Sequence, residues 1–307
     1  TGRCCFGDCG RNAANRGPTD RDCTVAPIWE LPTPEGRLRD GTLPGWRARM
    51  QEALSRHVRL HVTTSPGVRD LICGQLPRLQ QAAWEIIPHG RDRSAGASIA
   101  SPPTPGTRAG ILSLGFLDDA KGAALLLDLA RRNRAAGDPF EFHHFGGSPR
   151  AAELEAAGVR VRGAYARDEL PSLLAGIPLS FGLLPSRWPE TYSHTLTELW
   201  AFGLPVLASD LGAVGERIRA SGGGWLLDPE WPEAWFERLT GILEASEEWT
   251  GRSAEARAVR FPDIGEMTAR YESLYRSLVP RGPRTQPTTR SQTPPGEGST
   301  SGPATAS

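Results

Sequence analysis

Between residues 111 and 227 the sequence alternates six short strand-like runs with five stretches of helical periodicity, and few architectures accept that pattern. The strand-like runs fall at 111–114, 140–145, 159–162, 179–184, 206–208 and 225–227. Helical spacing falls between them, at 123–134, 151–157, 169–174, 194–202 and 215–220. Strands alternating with helices of this length imply a parallel sheet covered on both faces, the helix between each pair supplying the crossover that parallel strands need. The expected fold class is α/β, a Rossmann-like doubly wound parallel sheet. Such sheets bind ligands in the crevice beyond the carboxyl ends of their strands. Two more helical stretches follow at 231–245 and 266–278, the second with Met267, Tyr271, Leu274, Tyr275 and Leu278 on one stripe.

Upstream the pattern is shorter. Trp46, Met50, Ala53 and Leu54 recur at helical spacing, then Val58, Leu60 and Val62 alternate like a strand. Ser65 followed by Pro66 marks a helix start, with Val68, Leu71, Ile72 and Leu76 on one face, and 84–87 reads as a second strand. Pro88-His89-Gly90 then breaks the chain. The expected organisation is a poorly structured segment 1–44, the remnant of a partial N-terminal domain at 45–90, a linker at 91–110, the main domain at 111–279 and a disordered tail at 280–307. The chain starts at Thr1, in a segment with little hydrophobic pattern, which points to a fragment of a longer reading frame.

Lys plus Arg and Asp plus Glu balance at 35 each, which removes a global electrostatic case for nucleic acid as a partner. No run approaches the roughly 18 apolar residues of a membrane span, and no charged-then-apolar leader opens the chain, so a cytoplasmic protein is expected. Cys4, Cys5, Cys9 and Cys23 lack the second close pair that a familiar zinc pattern needs, and reduced thiols are the default. No metal and no cofactor are expected.

Two segments at strand tips carry candidate chemistry. In the turn from Gly115 to Gly122, Lys121 stands at a helix start, where the macrodipole disfavours a cation and a bound anion would reverse that penalty. A solvated lysine paired with Asp118 or Asp119 is the bland alternative. In the second segment, 185–198, Pro189 keeps Glu190 in the loop while Glu198 falls inside the helix. The amides of Tyr192, Ser193 and His194 would point into the same crevice. Amides suit a diphosphate and carboxylates suit hydroxyls. Against this, Glu190 near a helix start favours the dipole without any ligand, and Glu198 lies on a polar arc opposite Leu196 and Trp200. His143 and His144 are strand neighbours that point to opposite faces, so they read as satisfied core histidines rather than metal ligands. Trp188 reads as a loop anchor.

From 58 to 278, through Ser65, Pro88-His89-Gly90, Gly115, Lys121-Gly122, Gly146, Gly163, Glu190, Glu198, Gly203-Leu204-Pro205-Val206 and Glu216, the sequence resembles the retaining group 1 glycosyltransferases of GT-B fold, in their C-terminal domain. The Trp188-Pro189-Glu190-Thr191-Tyr192-Ser193 wording further resembles glycosyltransferase modules of bacterial surface-polysaccharide assembly proteins. The resemblance implies donor binding at Gly115, Lys121, Glu190, Thr191, Tyr192, Ser193, His194 and Glu198. Lys121 would hold the diphosphate, Glu198 the ribose hydroxyls, Glu190 the transferred sugar, and the 191–194 backbone the phosphate and sugar. Lys121 and Glu190 would be the catalytic groups. The implied partners are a nucleotide-diphosphate sugar and a glycan or lipid-linked acceptor, in polysaccharide or glycoconjugate synthesis, compatible with peripheral membrane contact. The family usually has an arginine directly after the first-turn glycine; here that position is Phe116, with Arg187 a candidate replacement. A non-catalytic module that holds a nucleotide sugar or a partner protein is the alternative of a different class, and an epimerase acting on the free nucleotide sugar is a third reading.

Overall fold

The computed structural model describes residues 30–33, 36–39, 43–91, 98–104 and 106–279, with side chains from 48 onward. The cysteines at 4, 5, 9 and 23 and the tail 280–307 lie outside the described residues. Two short strands, β1 (Glu30–Thr33) and β2 (Gly36–Arg39), pair antiparallel. They fall within the segment expected to be poorly structured, where four-residue strands of mixed polarity leave no periodic signal.

Helix α1 (Leu43–His57), strand β3 (His61–Thr63), helix α2 (Pro66–Gln75) and strand β4 (Trp84–Ile86) form a small unit in which β3 and β4 pair parallel. Ser65 caps α2, its hydroxyl accepting from the Val68 amide at 3.2 Å, and Pro66 occupies the first turn, where its missing N–H costs nothing.

The main domain is a sheet of six strands. In chain order they are β5 (Ala109–Leu114), β6 (Phe140–Phe145), β7 (Arg160–Val161), β8 (Leu179–Leu184), β9 (Val206–Ser209) and β10 (Gly224–Leu227). The spatial order is β10-β9-β8-β5-β6-β7, and all neighbours are parallel. Helices α3 (Ala123–Ala135), α4 (Ala151–Ala156), α5 (Leu170–Leu174), α6 (His194–Ala201) and α7 (Gly212–Ser221) make the crossovers. This is the doubly wound sheet that the alternation implied.

Strand residues alternate between two cores, as a pleat requires. Ile111, Phe142, Phe181 and Leu207 meet α3 through Leu126 and Leu129, and α8 (Pro232–Glu244) through Trp235 and Leu239. Leu112, Leu114, Leu184 and Ala208 meet Leu196, Leu199 and Trp200 of α6 and Val214 of α7. The buried indoles are satisfied: Trp200 Nε1 donates to Gly223 O and Trp249 Nε1 to Ser180 O, each at 2.8 Å.

Helix α9 (Ser246–Ala258) was not legible in advance, because its buried residues, Trp249, Ser253 and Ala256, include two small ones that give no apolar stripe. Helix α10 (Ile264–Leu278) opens on a capping box in which Asp263 and Glu266 answer each other's amides, and it returns to the small unit. There Arg270 donates to Glu85 Oε1 at 2.9 Å and to Ile86 O at 2.7 Å. The expected linker is partly built into the main sheet: Ala100 bridges to Leu179, and the Ser101 amide donates to Leu179 O at 2.8 Å.

Candidate functional site

Strand order reverses between β5 and β8, since the chain winds outward from β5 through β6 to β7 and then restarts at β8 on the other side. The crevice of a doubly wound sheet opens at that reversal. The loops after the two strands hold Lys121 and Glu190, and they meet. Lys121 Nζ lies 2.9 Å from Glu190 Oε1, which also accepts from Ser186 Oγ at 2.8 Å. Lys121 therefore pairs with neither Asp118 nor Asp119. Asp118 instead accepts from the Lys121 amide at 2.9 Å, and Asp119 pairs with Arg150 at 3.0 Å.

Backbone contacts fix the two loops against each other. Gly122 has φ 92°, and a Cβ there would lie 2.0 Å from Pro185 O, so the Lys121 turn lies directly against the end of β8. Gly212 has φ 51°, and a Cβ there would lie 2.7 Å from Glu190 O, while the Ala213 amide donates to that same oxygen at 2.9 Å. The Arg187 amide donates to Ala120 O at 2.9 Å. Gly115, at the tip of β5, has φ 90°, and its side-chain direction faces Thr195 Cγ2 on the first turn of α6.

The segment into α6 is braced from below. Ser193 caps the helix at φ 67°, a backbone region that a serine enters only under constraint, and its hydroxyl accepts from the Leu196 amide at 3.4 Å. Arg217 supplies that constraint. It donates to Tyr192 O and Ser193 O at 2.9 Å each and to Thr197 Oγ1 at 2.7 Å, with its guanidinium 4.3 Å from the Tyr192 ring centroid. Among the described residues the amides of Tyr192 and Ser193 have no backbone acceptor. Thr191 is exposed, its carbonyl accepting from Thr64 Oγ1 of the small unit. Tyr192 OH donates to His89 O at 2.9 Å. The His194 ring stacks on His89 with centroids 5.2 Å apart, and partial burial first, then His89, lowers the His194 pKa.

Glu198 differs from the polar-arc reading. It is buried, and its Oε1 accepts from Arg91 Nη2 at 2.5 Å and from Arg167 Nε at 3.2 Å. The arc faces other chain segments rather than solvent. Burial and, second, the Glu198 carboxylate push the Tyr165 phenol up to about 12. Neither Arg91 nor Arg217 carried a signal in the sequence: Arg91 stands at the start of a Ser- and Pro-rich stretch, and Arg217 lies on an otherwise ordinary helix. Arg187, the candidate replacement for the missing arginine, pairs at the surface with Glu230 at 2.5 Å, and Phe116 is exposed.

His144 Nδ1 lies 2.7 Å from Ser113 Oγ. His143 departs from the expectation of a satisfied core histidine: it is buried, and its Nε2 is 3.7 Å from the nearest Glu141 oxygen, beyond hydrogen-bond length. Burial lowers the pKa of both. Among the described residues no group of three or more His, Cys, Asp or Glu side chains could hold a metal ion, and no helix is long and apolar enough to cross a membrane.

Residues 108–245 match the family model described as glycosyl transferases group 1. No curated protein sequence matches the chain. Solved structures of GT-B glycosyltransferases share the fold. HepE from Anabaena, solved in complex with UDP, superimposes with a TM-score of 0.63 at 15% identity, over 81% of this chain and 71% of that one. Sucrose-phosphate synthase from Thermosynechococcus elongatus superimposes with a TM-score of 0.56 at 18% identity, over 78% of this chain and 62% of that one. The lipopolysaccharide outer core galactosyltransferase WaaB, in its apo form, gives 0.55 at 18% identity, over 72% of this chain and 62% of that one.

Proposed function

We propose that this chain, with a group 1 glycosyltransferase match over its main domain and a GT-B fold, transfers a sugar from a nucleotide-diphosphate sugar to an acceptor hydroxyl with retention at the anomeric carbon. The setting proposed is cytoplasmic synthesis of a polysaccharide or glycoconjugate, on a glycan or lipid-linked acceptor. The observation that carries the reading is the contact of Lys121 with Glu190 at the strand-order reversal, beside the start of α6. A diphosphate meets an ammonium and helix amides there, and a sugar hydroxyl meets a carboxylate.

The chemistry follows from charge. Departure of the nucleoside diphosphate builds negative charge on its terminal phosphate, and groups already aimed at that charge lower the barrier without reorganising. Lys121 is 44% exposed, so its flexible stem leaves Glu190 at small cost and turns to the diphosphate. Glu190, released from the ammonium, receives a hydroxyl of the transferred sugar. The Tyr192 and Ser193 amides and the His194 backbone take phosphate and sugar oxygens, and Glu198 takes the ribose hydroxyls. The reading needs no metal, because amides and lysine answer the diphosphate.

Titration calorimetry with UDP, GDP and ADP tests the site first. Lys121→Ala is expected to weaken the tightest of these by about ten-fold or more, the size of one charge-assisted contact; unchanged affinity would remove the site. Incubation with labelled donor and a mixed acceptor pool then separates transfer from the second reading, a module that binds donor and transfers nothing. That second reading draws on the small unit: among the described residues before β5, only β3 and β4 form a parallel sheet, a narrow platform for an acceptor.

A further inference from the structure

The chain crosses between the small unit and the main sheet at two places, and Arg91 stands where they meet. One crossing runs from β4 through His89, Gly90 and Arg91; the other runs from α9 into α10 through Pro262 and Asp263. The Arg91 amide donates to Pro262 O at 2.9 Å, and a Cβ on Gly90 would lie 2.3 Å from Asp263 O, so the crossings are in contact. From this junction the Arg91 side chain turns into the main domain, where 8% of it remains exposed.

Its guanidinium spans one turn of α6. Nη1 donates to His194 O at 3.1 Å and Nη2 donates to Glu198 Oε1 at 2.5 Å. A planar fork held at two points fixes the direction of its carboxylate, which a point charge would not. Arg167 touches the same oxygen at 3.2 Å, but its side chain is 60% exposed, and solvent screens and loosens that contact. Both guanidinium contacts are to Oε1 and neither uses Oε2, while the Tyr165 phenol also donates to the Glu198 carboxylate. Of the partners of the 7% exposed Glu198 carboxylate, Arg91 is the buried cation and the one that comes from the junction rather than from the loops of the main sheet.

We propose that Arg91 is a positioning residue for the nucleotide's ribose, holding the Glu198 carboxylate so that Oε2 accepts from the vicinal hydroxyls. This rests on the donor-site reading above. Without Arg91 the carboxylate turns toward Arg167 and water, and the vicinal diol loses its acceptor while the diphosphate contacts stay.

The test compares two ligands on the full chain: the tightest-binding of UDP, GDP and ADP, and the 2′,3′-dideoxy form of the same nucleotide. The unaltered chain is expected to prefer the ribose form by about ten-fold or more, one charge-assisted contact. Arg91→Ala is expected to collapse that preference to within about three-fold by weakening the ribose form alone, and Arg91→Lys, which keeps the charge without the fork, to fall between. A structural role would weaken both ligands alike, and a preference intact in the variants would overturn the inference while leaving the donor site standing. Should Arg91→Ala fail to give a cooperative melt, the ratio in Arg91→Lys decides by the same criterion. Binding of neither ligand by the unaltered chain would overturn the donor-site reading and this inference with it.

Discussion

Glu190 and Glu198 are separated by seven residues, and the protein answers them with cations in opposite ways. Glu190 lies in a loop, its side chain 12% exposed, and meets Lys121, a side chain 44% exposed that comes from the neighbouring strand's loop. Glu198 lies inside a helix and meets Arg91, with 7% and 8% of the two side chains exposed. A lysine that is nearly half in water holds its partner by about 1 kcal/mol, so the ammonium can be exchanged to a ligand while Glu190 keeps the Ser186 hydroxyl. A buried arginine pair contributes little net stability yet is expensive to break, because the survivor is left charged and dry. One region is therefore built to change partners and the other to hold a group still.

Breaking the buried pair tests the contrast most severely. Glu198→Ala leaves Arg91 without its carboxylate and should cost about 3–5 kcal/mol in chemical denaturation. A loss under about 1 kcal/mol would erase the distinction between the two regions. Next in size is the turn that carries Lys121: Gly122→Ala combines a φ of 92° with an approach of 2.0 Å to Pro185 O and should cost about 1–3 kcal/mol. Gly137→Ala, with φ 83° and open space around it, supplies the control for left-handed backbone alone. Equal losses at both would mean that Pro185 does not pin the Lys121 turn.

Acid sharpens the comparison from the side of Glu198. The His194 pKa is lowered from 6.5 by partial burial and by His89, Arg91 and Arg167, with Glu198 opposing. The unfolded chain then takes up the proton first, so this contribution to stability is full above pH 6.5 and declines as pH falls below it. Thermal midpoints recorded downward from pH 7.5 should fall, and less steeply in His194→Gln; identical slopes would rule His194 out as a source. The smallest effect belongs to the pair with the half-exposed lysine: Lys121→Ala should alter stability by about 1 kcal/mol, a change read by the same denaturant titration. A larger loss would show that Lys121 holds the fold together rather than waiting for a ligand.

Legibility in the sequence followed the same division. Strands at 140–145 and 179–184 were readable to the residue, because each is a short run rich in phenylalanine or leucine, bounded by Gly and Pro and set between helical stretches. The start of α2 was readable from Ser65 and Pro66, since capping is a local contact. Helix α9 was missed because its contact face is mostly small residues. Around the candidate site, the positions of Lys121, Glu190 and the start of α6 at strand tips followed from the alternation, but their partners did not. Spacing offers Lys121 its sequence neighbours Asp118 and Asp119, and its ammonium is instead against Glu190. Glu198 was read on a polar arc, and the periodicity that placed it there carries no information about which segment covers that arc.

Local chemistry in the sequence thus determined where strands and helices lie, how they alternate and which loops end at strand tips. Tertiary structure alone decided which charges meet. Arg91 and Glu198 are 107 positions apart, and they touch because the chain's crossing between its two units passes over α6. Periodicity is set by contacts within a few residues, whereas an ion pair at that separation exists only once the sheet has chosen the order of its strands.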